Sequence, residues 1–252
     1  AFQNLSCVTL DTLHLFPYLI ALAIIIAGGV VRGYTGFGSG LVMVPLLAVL
    51  WGPIDAIILT MSLGLFATVQ MTYPAIKLAN WRDTAPMVFA ALLVTPLGTF
   101  FLITLDPGIV KKIIAVIVIF LTIISLIGWT YKGPRGITPS FIAGSIASFI
   151  NGVAAVGGPV FVLYLISIPE KPEVQRANLT ILTSIMGTSV LMYVVIFGDV
   201  PIETVSRAVI LAIPYIAAVW SGIKLFSLLS GKIFKTIILW FLLAISSAIL
   251  IA

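Results

Sequence analysis

Two short tracts carry nearly all the residues that could do chemistry inside an otherwise apolar chain. The first runs Arg32-Gly33-Tyr34-Thr35-Gly36-Phe37-Gly38-Ser39-Gly40, and the second runs Asn151-Gly152-Val153-Ala154-Ala155-Val156-Gly157-Gly158-Pro159. Superposed without gaps, Gly33 falls on Gly152, Gly38 on Gly157 and Arg32 on Asn151. A guanidinium, an amide, hydroxyls at Tyr34, Thr35 and Ser39, and glycines that let a ligand approach the backbone all suit one task, the holding of a small anion. Free N–H groups at a helix start add the positive end of a dipole to that task. The expected binding set is therefore Arg32, Tyr34, Thr35, Gly36, Gly38, Ser39, Gly40, Asn151, Gly157 and Gly158. Thr60, Gln70, Asn178, Thr180, Thr183 and Ser184 follow on later helices and are weaker candidates for a lining, because mid-helix hydroxyls often bond to the preceding turn. The alternative role of the glycines is close helix crossing, common among small residues in membranes.

The elements that must position these tracts are membrane helices. Of 252 residues, 61% are hydrophobic and 8% charged, where a soluble domain carries roughly 25% charged residues. So few charges cannot clothe a water-facing surface, and lipid is the expected solvent. Hydropathy divides the chain into helical segments at Phe16–Val31, Leu41–Trp51, Ala56–Ile76, Thr84–Leu105 and Pro107–Trp129, then Ile137–Ile150, Val160–Ile168, Ala177–Phe197, Ile202–Leu225 and Lys232–Ile251. Each set opens with an apolar helix, a Gly-rich break and a short apolar helix, and three long helices follow. The expected fold is an all-α polytopic membrane protein of two five-segment repeats, residues 1–130 and 131–252, each starting with a Gly-rich broken or re-entrant hairpin.

The charges orient these repeats. If each broken region enters and leaves on one side, Lys77, Arg82, Lys132, Arg135, Lys171, Arg176, Lys224, Lys232 and Lys235 share a face. Lys111, Lys112 and Arg207 then lie opposite, beside Asp11, Asp55, Asp106, Asp199 and Glu203. A single discontinuous crossing at each break divides Lys and Arg far more evenly, so the positive-inside rule favours the first arrangement, with both termini outside and the repeats inverted. The short arms Leu41–Trp51 and Val160–Ile168 are about 16 Å and 14 Å long, half of a ~30 Å hydrocarbon core. That length favours re-entrant tips meeting near the midplane, although two full crossings per hairpin satisfy the charge count equally.

Other chemistry finds little support. Carboxylates sit at segment ends, away from any Ser-His-Asp or His-rich cluster, so no enzyme, metal site or cofactor is expected. Cys7 and His14 stand singly. The net charge of +5 comes in ones and twos at helix ends, which speaks for membrane orientation and against nucleic acid. No basic n-region opens the chain, and no signal peptide is expected. Trp51, Trp81 and Trp129 lie at segment ends, as interfacial anchors do.

The stretch Gly36-Phe37-Gly38-Ser39-Gly40-Leu41-Val42-Met43-Val44-Pro45 resembles the first motif of the TauE/SafE sulfite exporter family, also called the toluene sulfonate uptake permease family. Gly152 to Leu165, with Gly157-Gly158-Pro159 and Leu163-Tyr164-Leu165, is similar to the second motif, and Asn80-Trp81-Arg82-Asp83 followed by Pro96-Leu97-Gly98 to the link between them. Ser39 and Ala155 depart from the commoner glycine pattern and alter donors and space at the tips. The resemblance implies secondary transport of sulfur-containing anions in the bacterial inner (plasma) membrane: sulfite, thiosulfate, or organosulfonates such as sulfoacetate. The expected partners are a small anionic substrate, preferably a C2 or C3 sulfonate, and membrane lipid. A coupling proton or other ion and an oligomeric assembly are both compatible with this. A passive anion channel and a non-transporting membrane subunit are the rival expectations.

Overall fold

The computed structural model describes residues 2–129, 131–165 and 170–226, and for residues 2–16 and Ser125 the backbone alone. The expected segment Lys232–Ile251 and the side chains of Cys7, Asp11 and His14 lie outside the described residues. Within them the chain is all helical: α1 (Phe2–Thr35), α2 (Ser39–Trp51), α3 (Pro53–Leu78), α4 (Trp81–Thr104), α5 (Pro107–Ile127), α6 (Ile137–Ala154), α7 (Gly158–Leu165), α8 (Pro172–Phe197) and α9 (Ile202–Phe226). Seven of these have the length and apolarity to cross a bilayer, α1 through its Pro17–Thr35 portion. The two short ones, α2 and α7, are those that follow the Gly-rich tracts.

Local chemistry sets the helix ends. Asp106 accepts from the Gly108 N–H at 2.8 Å with Pro107 in the first turn, and Gly128 (φ 72°) closes α5. Asn80 caps α4 by accepting from the Arg82 N–H at 3.1 Å. Pro53 and Pro172 open α3 and α8, where a missing N–H is harmless.

The Gly-rich breaks are shorter than their composition suggests. Helix α1 continues through Arg32, Gly33 and Tyr34 to Thr35, and α6 continues through Asn151 and Gly152 to Ala154. Non-helical backbone is confined to Gly36–Gly38 and to Ala155–Gly157. Glycine is needed at Gly36 (φ 81°) and Gly38 (φ 90°). In the second turn Ala155 takes the left-handed conformation itself (φ 57°), a strain of roughly 1–2 kcal/mol for a residue with a Cβ. Two contacts from the last turn of α6 hold it there. The Ala155 N–H donates to the Asn151 carbonyl at 2.8 Å, and the Gly157 N–H to Asn151 Oδ1 at 3.3 Å.

Packing explains why the helices run on. Helix α1 packs most extensively on α9, and α6 on α4. At the first crossing, Gly33 presses on the Val219 carbonyl while Gly222 presses on Val30 and on Gly33. At the second, Gly152 abuts Gly98, with 2.8 Å between the position a Gly152 Cβ would take and Gly98 Cα. Backbones brought this close gain dispersion contacts that lipid cannot match. Gly33 and Gly152 thus serve helix crossing. Between these pairs, α3 and α8 pack on each other and α2 packs on α3. The apolar core includes Met43, Leu47, Leu59 and Leu63, all fully buried, whereas Val69, Ile127 and Ile213 project outward as lipid-facing residues must.

Candidate functional site

A cavity of about 40 Å³ lies where the two turns meet α3 and α8. Arg32, Gly38, Ser39, Gly40, Asn151 and Gly158 line it. Tyr34, Thr35, Gly36 and Gly157 do not, and each has another contact. The Tyr34 ring meets Phe226 edge-on at 5.7 Å. The Thr35 hydroxyl folds the first turn, accepting from the Phe37 N–H at 3.2 Å and donating to backbone carbonyls of the same turn. The Gly36 carbonyl accepts from Thr183 Oγ1 at 3.2 Å, and the Gly157 N–H is held by Asn151.

Arg32 dominates the electrostatics. It is buried, 5% exposed, and is the one charged side chain among the described residues lining the cavity. Its guanidinium donates to Thr183 Oγ1 and, at 3.3 Å, to Ser184 Oγ on α8. Both partners are neutral hydroxyls, and Arg32 Nε has no partner. An ion taken out of water without a counter-charge costs several kcal/mol. An anion in the cavity would supply that counter-charge. Ser184 also accepts from Thr72 Oγ1 at 3.2 Å, tying α3 to the same point.

Two further polar groups in the wall are buried and unpartnered: Asn151 Nδ2 and Thr60 Oγ1. The first turn of α2 has no side-chain cap, because Gly38 stands at its N-cap, so its leading amides add further donors at the cavity. Donors converge from α1, α2 and α6, with hydroxyls from α3 and α8 and no carboxylate. That set suits an oxyanion with several acceptor oxygens.

Of the weaker sequence candidates, Thr60, Thr183 and Ser184 line the cavity. Asn178 does not; it clasps the α3–α4 link, accepting from the Asn80 N–H at 2.9 Å and donating to Glu170 at 3.2 Å. The Thr180 hydroxyl lies behind Gly36, and Gln70 is outside the lining. Sequence reasoning missed Gly64, Thr68, Gly187 and Thr188, which complete the walls. A usable signal existed. Thr60 precedes Gly64 by one turn on α3 as Thr183 precedes Gly187 on α8.

Comparison with known proteins gives the family. The family model described as sulfite exporter TauE/SafE matches residues 20–249. A protein of Methanocaldococcus jannaschii named as a probable membrane transporter protein is 23% identical over 248 residues, covering 88% of this chain and 90% of its own. No solved structure matches. With seven helices able to span a bilayer and a family match over most of its length, this multi-pass membrane protein belongs to the sulfite exporter TauE/SafE family of transporters.

Proposed function

We propose that the chain is a secondary transporter of sulfur-containing organic anions, C2 or C3 sulfonates such as sulfoacetate, working by alternating access in the bacterial inner membrane. The observation that carries this is the buried Arg32, whose Nε faces no partner in a cavity without carboxylates. A sulfonate is a permanent anion with three acceptor oxygens, and Arg32, Asn151 Nδ2 and Thr60 offer it donors.

Two inverted repeats, residues 1–130 and 131–252, are part of the proposal, with both termini outside. The paired glycine crossings support it: Gly33 on Gly222 joins the halves as Gly152 on Gly98 does. So does the contact of the two turns, where Gly40 meets Ala155. Rocking of one half against the other about this meeting point would open the cavity to each side in turn.

A second reading, transport of an inorganic sulfur oxyanion such as sulfite or thiosulfate, is favoured by the small size of the cavity. At about 10–15 Å³ per water site, the cavity of about 40 Å³ holds roughly three water-sized positions. That volume suits a compact oxyanion.

Thermal unfolding of the purified protein with sulfite, thiosulfate, sulfoacetate, sulfolactate or taurine separates these readings. A true substrate at 100 times its Kd should stabilise by about 2.7 kcal/mol, and Arg32→Ala should abolish the shift. Counterflow in proteoliposomes then distinguishes a carrier, which is trans-stimulated, from a channel. Stabilisation by zwitterionic taurine and by none of the net anions would rule out a site built around Arg32.

A further inference from the structure

Gly64 differs in its surroundings from the glycines at the helix crossings. Gly33, Gly98, Gly152 and Gly222 each face the backbone of a neighbouring helix. Around Gly64, apart from its chain neighbours and the backbone of its own helix, no heavy atom lies within 4 Å of the place its Cβ would occupy, yet the residue is part of the cavity wall. Close packing therefore gives no reason for glycine here, and glycine in the interior of α3 weakens the helix relative to alanine. Space gives a reason.

Thr60 and Gly64 are four residues apart and so share one face of α3, about one 5.4 Å turn apart. Thr60, fully buried, stands toward one end of the cavity. Beyond Gly64 on the same helix, Thr72 donates to Ser184 Oγ, to which the Arg32 guanidinium also donates, so Arg32 lies on the other side of Gly64 from Thr60. Met61 and Leu65 are also in the wall, and Leu65 is 40% exposed. On the facing helix Gly187 is nearly as bare as Gly64, its nearest neighbour being Met61 Sδ at 3.3 Å from a built Cβ. The cavity thus has the Arg32 guanidinium toward one end, the Thr60 hydroxyl toward the other, and unfilled room at Gly64 between them.

We infer that Gly64 sets which organic substituent the substrate carries. The anionic head sits at Arg32, and the carbon chain extends from it over Gly64 toward Thr60. This rests on the anion-transport reading and adds the orientation of the ligand and the residue that limits its length. A Cβ at Gly64 would enter the chain's space without touching a neighbouring helix. It would leave the head group's donors untouched.

The test is equilibrium binding of sulfite, methanesulfonate and sulfoacetate to the purified full chain and to Gly64→Ala and Gly64→Val, with melting curves for each variant. One methylene in a fitted pocket changes affinity by about 10–200-fold, so Gly64→Val should weaken sulfoacetate at least tenfold while sulfite stays within about threefold. Methanesulfonate should fall between them, and Gly64→Ala should show the same order with smaller ratios. If the valine variant does not fold, the alanine ratios decide. Equal changes for all three ligands, or none for any, overturn the role of Gly64. Binding of none of the three by the parent protein would instead remove the transport reading, and this inference with it.

Discussion

Gly40 and Ala155 touch backbone to backbone: a Cβ on Gly40 would overlap the Ala155 carbonyl oxygen. Gly40 is the second residue of α2, and Ala155 is the left-handed residue that ends α6. One contact therefore joins the two turns at the wall of the cavity that both line.

Replacing Gly40 by alanine should push these turns apart. Overpacking of this kind costs about 1–3 kcal/mol, and here it also shifts Arg32 relative to Asn151. The expected outcome is a lower melting temperature and loss of ligand-induced stabilisation, both read by thermal unfolding with and without sulfoacetate. Gly64→Ala, whose Cβ touches no neighbouring helix, serves as the control for the melting temperature without ligand, a glycine lost from a helix lining the same cavity.

Asn151→Asp tests the charge of the site. A carboxylate in the wall would put a negative charge in the same cavity as Arg32 and repel an anionic ligand. Without ligand the variant should be at least as stable as the parent, since a buried guanidinium gains a counter-charge. Its affinity for any sulfur anion should drop by about tenfold or more, the loss of a charge-assisted hydrogen bond being worth about 1.5–3 kcal/mol. Titration calorimetry measures this, and undiminished binding would place the anion elsewhere.

The inverted arrangement predicts which residues face which solution. In a Cys7→Ser background, Lys77→Cys, Lys132→Cys and Lys171→Cys should react with an impermeant maleimide only from the cytoplasmic side. Asp106→Cys and Asp199→Cys should react only from the other. Lys77 and Lys132 labelled from opposite sides would break the topology, because the positive-inside count depends on their sharing a face.

Much of this molecule was legible in its composition and patterning. Hydropathy is a local property, summed along the chain, so the long spans and short arms emerge from it directly. The two Gly-rich tracts announce broken helices, and the buried Arg32 and Asn151 both line a polar cavity. The extent of each break was less legible. A helix passes through Arg32-Gly33 or Asn151-Gly152 because another helix presses against it there, and no single segment carries that information.

The same limit governs the site. Sequence determined that lipid surrounds the chain and which residues could hold an anion. The fold decided that Thr183 and Ser184, more than 150 positions along the chain, are the groups that hold Arg32. It decided that Thr35 folds the turn while Tyr34 packs against Phe226, both outside the cavity lining, and that Gly64 and Gly187 complete the walls. A cavity is the volume that packed helices fail to fill, so it exists only between elements distant in sequence.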